Sequence, residues 1–295
     1  MNQHRNDPKS LVMLVSSMLI FGTIGIFRRM IPMSSEMIAL MRGIIGCAFL
    51  LMVVQLRRKK SEGSRSGIDR KLMIKLLISG IIVGFNWILL FEAYTWTTVP
   101  VATLCLYLQP ILVIGASSFL FHEPMTKRKA ICSLTALIGM VLVSGVAEHG
   151  IPGPNDLKGI LFGIGAACFY AATALMNKTM QGIDPYEKTM IQLGVAAVSL
   201  IPYVWMTGGY AGNTWTLGTV ALLIVVGVVH TGISYSLFFG SLHGLKTQTV
   251  AMFSYIDPVF ALILAGVILK EQLTGMSLFG AVLILGSAVV CEIKR

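Results

Sequence analysis

The feature that most constrains this chain is a succession of apolar runs, each about as long as a bilayer is thick. A helix needs about 20 mostly apolar residues to cross the hydrocarbon core. Ten such runs can be marked along the 295 residues, roughly at 10–29, 35–56, 72–95, 98–121, 128–147, 157–180, 187–207, 216–241, 247–269 and 273–292. Only 12% of the residues are charged, against about 25% in a soluble domain. So few charges cannot cover a water-facing surface, which excludes an ordinary soluble protein and predicts an all-α integral membrane protein.

The breaks between runs carry polar and turn-forming stretches such as "RRKKSEGSRSGIDRK", "HEPMTKRK", "EHGIPGPND" and "QGIDPYEK". "TWTTVP" is the tightest of them, and a reader could merge the spans on either side into one long helix. The net charge of +10 would point to nucleic acid in a soluble chain. Here the basic residues sit in short loops. With the N-terminus inside, the inner segments hold 18 Lys and Arg and the outer ones four, Arg28, Arg29, Lys158 and Lys270. The excess of inward positive charge places both termini in the cytoplasm and the protein in a cell (inner or plasma) membrane. The N-terminal run imitates a signal peptide, but no A-x-A site follows it, so it is read as a retained first span. The five cysteines lie in apolar stretches without CxxC spacing and read as small core residues, with no metal site and no cofactor expected.

Two short motifs then relate the halves. "LYLQP" (106–110) and "SYIDP" (254–258) put Tyr-x-polar-Pro inside apolar runs, 148 residues apart. At the same offset Gly84 matches Gly232, Leu89 Leu237, Phe91 Phe239, Glu123 Glu271 and Thr126 Thr274, and Phe21 matches Phe169. Five spans per half is an odd number, so two such halves lie in opposite orientations. The predicted organisation is a first five-helix repeat at 1–147 and a second, inverted, at 148–295, giving ten transmembrane helices around a central cavity.

On "YLQP…FHEPMT" and "YIDP…LKEQLT" the chain resembles the EamA-type branch of the drug/metabolite transporter superfamily, over about residues 10–292. The resemblance implies a ten-helix basket and membrane transport of small metabolites, often export. It implies no single substrate.

The candidate site residues are polar groups at mid-span depth. Asp257 is the sharpest, because an ionised carboxylate there costs about 2.5–3.5 kcal/mol by insertion scales and needs a wet cavity or a partner. It suits a substrate amine or a coupling proton. Its counterpart Gln109 is neutral. His230, with an ordinary pKa near 6.5, is a second proton-coupling candidate. Asn86, Trp87 and Tyr235 supply the amide, ring and hydroxyl of an apolar pocket. Tyr107 and Tyr255 precede Gln109 and Asp257 by two residues, about 200° around a helix, so a Tyr and its polar neighbour need not share a face. Arg42, read in the cytosol-proximal or central part of span two, suits a substrate carboxylate, a structural acid or an interface. Pro110 and Pro258 are expected to kink spans four and nine as hinges. Glu92 is read as a gate or interface group, Glu123 and Glu271 as helix caps, and Arg57 to Lys60 as topology and headgroup contacts.

No HExxH, GxSxG, P-loop or paired catalytic acids appear, so no catalytic residues are assigned and an enzyme or ATP-driven pump is not expected. The expected function is secondary active transport of amino acids or related metabolites, as export, by alternating access. The competing reading is a lipid-handling or scaffold membrane protein with no solute pathway. Expected partners are a small-molecule substrate and the lipid bilayer, with no nucleic acid; the sequence leaves a homodimer open.

Overall fold

Apolar runs bounded by capping residues fold as helices because their backbone polar groups are satisfied internally. In the computed structural model the described residues are 7–60, 69–97, 99–143, 146–149, 156–180, 182–268, 270 and 274–292, and among them there is no strand. The elements are α1 (Pro8–Gly22), α2 (Ile24–Met30), α3 (Ser35–Lys60), α4 (Arg70–Trp96), α5 (Val99–Leu106), α6 (Gln109–Leu120), α7 (Lys127–Val143), α8 (Val146–His149), α9 (Asp156–Thr179), α10 (Pro185–Thr207) and α11 (Leu217–Val225). A π-helical segment, Val226–Ile233, follows α11 and runs into α12 (Ser234–Ser241). Then come α13 (Thr247–Phe253), α14 (Ile256–Val267) and α15 (Gly275–Glu292).

The helix starts are set by side chains that satisfy the first free N–H groups. Asp7 caps α1 by accepting from Ser10 N at 3.0 Å, with Pro8 opening the helix. Asp69 caps α4 through Leu72 N at 2.7 Å. Asp184 caps α10 through Tyr186 N at 2.8 Å, and Gly208 ends it at φ +70°. The "TWTTVP" boundary falls between α4 and α5, with Thr98 outside the described residues.

Among the described residues, eight stretches are long and apolar enough to cross a membrane: 8–28, 35–57, 70–96, 101–120, 157–179, 185–207, 217–241 and 247–264. A shorter apolar stretch, Gly275–Ser287 of α15, packs with its helix against α7. Side chains such as Phe119, Leu217, Val198 and Val282 face outward, as a lipid-covered surface requires. The interior is closed by helix pairs brought together over small residues. A Cβ at Gly80 would lie 2.6 Å from Val195 Cβ, and one at Gly84 2.9 Å from Ser199 Cβ, so α4 and α10 approach where a side chain would not fit.

The packing repeats at the 148-residue offset. α3 packs on α10 and α7 on α15; α4 packs on α9 as α12 does on α1, and α6 on α9 as α14 does on α1. Among the described residues the two non-glycine positions with positive φ are His122 (φ 52°) and Lys270 (φ 55°), also 148 apart.

Candidate functional site between the helix breaks

The fourth and ninth runs are interrupted at matching places. α5 gives way to α6 at Tyr107–Leu108, and α13 to α14 at Ser254–Tyr255. Pro110 is the second residue of α6 and Pro258 the third of α14. The sequence reading placed each proline as a kink within a continuous span. The interruption is a two-residue turn of right-handed helical backbone within each span, and the proline stands in the first turn beyond it, where its missing N–H has no intrahelical acceptor to lose.

The two breaks touch. The Tyr107 and Tyr255 rings are 6.4 Å apart, and the Tyr255 hydroxyl donates to the Tyr107 carbonyl at 3.2 Å. The Tyr107 hydroxyl faces the Asp257 carboxyl. The tyrosine of one half therefore meets the acid of the other, which explains why neighbours about 200° apart on one helix need not serve the same site. Tyr94, bonded to Thr103, and Tyr170 also lie around Asp257. On its other side α1 passes close: a Cβ at Gly22 would lie 2.8 Å from the Asp257 carbonyl oxygen. Gln109 is buried at the start of α6.

A second cluster forms around the π segment. His230 is 2% exposed and its Nε2 is 2.7 Å from Thr23 Oγ1, at the break between α1 and α2. Its Nδ1 is buried close to the Val225 backbone, and Phe27 meets the ring edge-on at 4.7 Å. Thr231 donates to the Val226 carbonyl five residues back at 3.0 Å and accepts from Arg42 Nε at 3.1 Å. The Arg42 guanidinium lies over the Trp87 ring at 4.8 Å, and Trp87 Nε1 donates to the Tyr235 hydroxyl at 3.3 Å. Arg42 enters about two turns into α3, nearer the end opposite the Lys-rich loops; of the two places read from sequence, cytosol-proximal or central, the first is not met.

Tyr170 connects the clusters, lying near both Tyr235 and Asp257. It also lines a cavity of about 10 Å³, space for about one water, with Val83, Asn86, Thr173, Tyr235 and Phe238. Asn86 spends one donor on the Ala166 carbonyl at 2.7 Å. Thus Asn86 and Tyr235 share this cavity, Arg42, Trp87, Tyr235 and His230 form one cluster, and Tyr107, Tyr255 and Asp257 another. Sequence reasoning missed Thr23, Thr231, Tyr94 and Tyr170. The two threonines carried a signal as hydroxyls inside apolar runs; nothing in the pattern paired them with His230 or Arg42.

The remaining acids have local partners. Glu92 accepts from the Tyr203 hydroxyl at 2.8 Å. Glu123 does cap a helix, but not its own: it accepts from Thr247 N at 3.0 Å, Thr247 Oγ1 at 2.9 Å and Gln248 N at 3.3 Å, at the start of α13. Glu271 lies outside the described residues.

A model of the EamA-like transporter family matches residues 8–145 and again 157–291. The chain belongs to that family. It is 28% identical over 290 residues to a Bacillus subtilis (strain 168) protein named Uncharacterized transporter YxxF, covering 97% of this chain and 90% of that one. A Salmonella typhimurium (strain LT2) protein named Probable amino-acid metabolite efflux pump is 26% identical over 199 residues, 64% of this chain and 66% of that one. A protein solved by crystallography superposes with a TM-score of 0.81 at 19% identity, over 98% of this chain and 99% of the other, and shows the shared fold. The family member described here is a multi-pass membrane protein, of a kind named as transporters and not as enzymes.

Proposed function

We propose that this family member is a secondary active transporter that moves amino acids or related small metabolites, as export, by alternating access. Ten helices form two inverted five-helix repeats, at 1–147 and 148–295, with α7 and α15 as the fifth and tenth crossings. The protein lies in the cell membrane with both termini cytoplasmic, on the count of inward Lys and Arg. The observation that carries the reading is the meeting of Tyr107 and Asp257 where two interrupted helices cross from opposite halves. Interrupted helices near the midplane leave backbone groups and a carboxyl beside one another, and rocking of one half on the other changes which side they face. Asp257 takes up and releases the coupling proton, and its tyrosine neighbours supply hydroxyls that stabilise it in either state. The Salmonella relative's printed name supports amino-acid-related cargo.

The test is flux of pooled radiolabelled amino acids into proteoliposomes, with and without an imposed pH gradient, for the native chain and Asp257→Asn. Gradient-stimulated flux in the native protein, lost in the variant, is the expected result. Equal flux in both contradicts the role of Asp257, and flux of no pool contradicts the cargo.

A further inference from the structure

Arg42 is a cation in a membrane-spanning helix, and its surroundings narrow what it is for. Arg57 pairs with Asp184 at 3.1 Å, whereas Arg42 makes no ion pair among the described residues. Its described contacts are the Thr231 hydroxyl, the Trp87 ring and the Tyr235 hydroxyl. The structural-acid reading is therefore not met. Arg42 is partly buried, and the interface reading is not met either, because its contacts Trp87 and Thr231 are buried, at 4% and 0% exposure, and draw the guanidinium inward. An aromatic face offsets part of the cost of a buried cation, but a charge left without a counter-ion in a low-dielectric interior is strongly unfavourable. Intramembrane cations usually have a partner or a ligand.

The position is also not one that the shared architecture requires. The residue 148 further on, in α10, is Met190. The π segment adds to this. It puts His230 and Thr231 side by side against α1 and α3, with His230 2% exposed. The matching stretch of α4 is regular helix. A guanidinium carries five N–H donors in a planar fork that matches a carboxylate, and the described contacts do not use them all.

We infer that Arg42 is the seat of a solute carboxylate, held against Trp87 and Thr231 with His230 alongside. That the solute is transported rests on the function proposed above; that a carboxylate binds does not.

The test is equilibrium binding to the full chain in nanodiscs, read by quenching of the Trp87 emission. L-alanine, L-leucine and L-phenylalanine are compared with their amides and with chloride, and Trp87→Phe assigns the signal. At least one amino acid should quench, its amide should bind about tenfold or more weakly, and Arg42→Gln should remove that discrimination. Arg42→Lys keeps the charge without the fork and should fall between. Thermal melting without ligand shows whether each variant folds. If amides bind as well as acids, if Arg42→Gln binds like the native chain, or if no probe binds, the assignment is overturned. Equal displacement by chloride would make this an inorganic anion site and also overturn it. Flux surviving in Arg42→Gln without discrimination between acid and amide would remove this seat and leave the transporter standing; carboxylate binding without any flux would do the reverse.

Discussion

The two halves of the chain have the same helix plan and differ in where they break it. Matching elements lie 148 residues apart, down to the left-handed turns at His122 and Lys270. Against that background, Asp257 stands opposite Gln109 and Arg42 opposite Met190. The first half interrupts its first span at Thr23, where α9 is continuous; the second inserts a π segment, where α4 is regular. These two irregularities meet at the contact between Thr23 and His230. Helix irregularities of this kind concentrate at functional sites, so the difference teaches that the helix plan recurs at the 148-residue offset while its departures gather the polar groups of the candidate site.

The sharpest way to break the comparison is to exchange the unequal pair. Asp257→Asn is expected to abolish gradient-driven flux in proteoliposomes, while Gln109→Leu leaves most of it; similar losses in both would mean that the halves are chemically equal. Next come positions where the halves agree. A Cβ at Gly84 would lie 2.9 Å from Ser199 Cβ, and one at Gly232 2.8 Å from the Phe49 ring. Gly84→Ala and Gly232→Ala should each cost about 1–3 kcal/mol by overpacking, read as a lower Tm. Gly232→Ala should cost less, because a ring edge yields more readily than a Cβ beside backbone.

The clamp between halves gives a smaller effect. Glu123→Ala removes the acceptor that holds the start of α13 and should cost about 1 kcal/mol, as for other lost caps, with faster amide exchange at Thr247 and Gln248. The end of the bundle near this clamp is expected to respond to pH. His243, in the turn between α12 and α13, has Nε2 3.4 Å from Lys188 Nζ and 3.1 Å from the Met180 carbonyl. Burial, then Lys188 and Lys178, push its pKa down to about 4. The unfolded chain takes up this proton near pH 6.5 and the folded chain only near 4, so stability present above 6.5 is lost as pH falls towards 4. Tm should drop between pH 7 and 4.5, and the drop should shrink in His243→Gln. The matching residue of the first half is Thr95, so no such titration is expected from the opposite position. The smallest effect is at Arg57, whose exposed pair with Asp184 and contact over Tyr186 should contribute under about 1 kcal/mol, so Arg57→Ala should barely move Tm.

Much of the frame was legible because membrane helices announce themselves by length and hydropathy, and because Pro, Tyr and Glu are rare enough here to expose the offset. The depth of Asp257 and His230 within apolar runs singled them out in the sequence, and the structure places both among buried polar partners. What the pattern could not supply was who meets whom. That Tyr107 faces Asp257, or that Thr231 holds Arg42, depends on contacts between helices more than 140 residues apart in sequence. The prolines marked where spans four and nine are interrupted, but not that the interruption is a short turn just before each of them, because a proline removes one backbone bond and its neighbours decide the local backbone. Lys178 and Lys188 counted only as topology signals, yet both are buried at 9% and 0% exposure. Lys178 donates to the Leu245 carbonyl.

The most direct test of the central claim follows both ends of the bundle at once. Spin labels at the exposed pair Met125 and Lys246 span the halves at the Lys-rich end, and labels at Trp96 and Trp215 span them at the other. Pulsed dipolar distances in proteoliposomes, with and without L-leucine and a pH gradient, should show two populations, with one pair lengthening as the other shortens. A single fixed distance at both ends, or two distances that grow together, would contradict alternating access by the two halves.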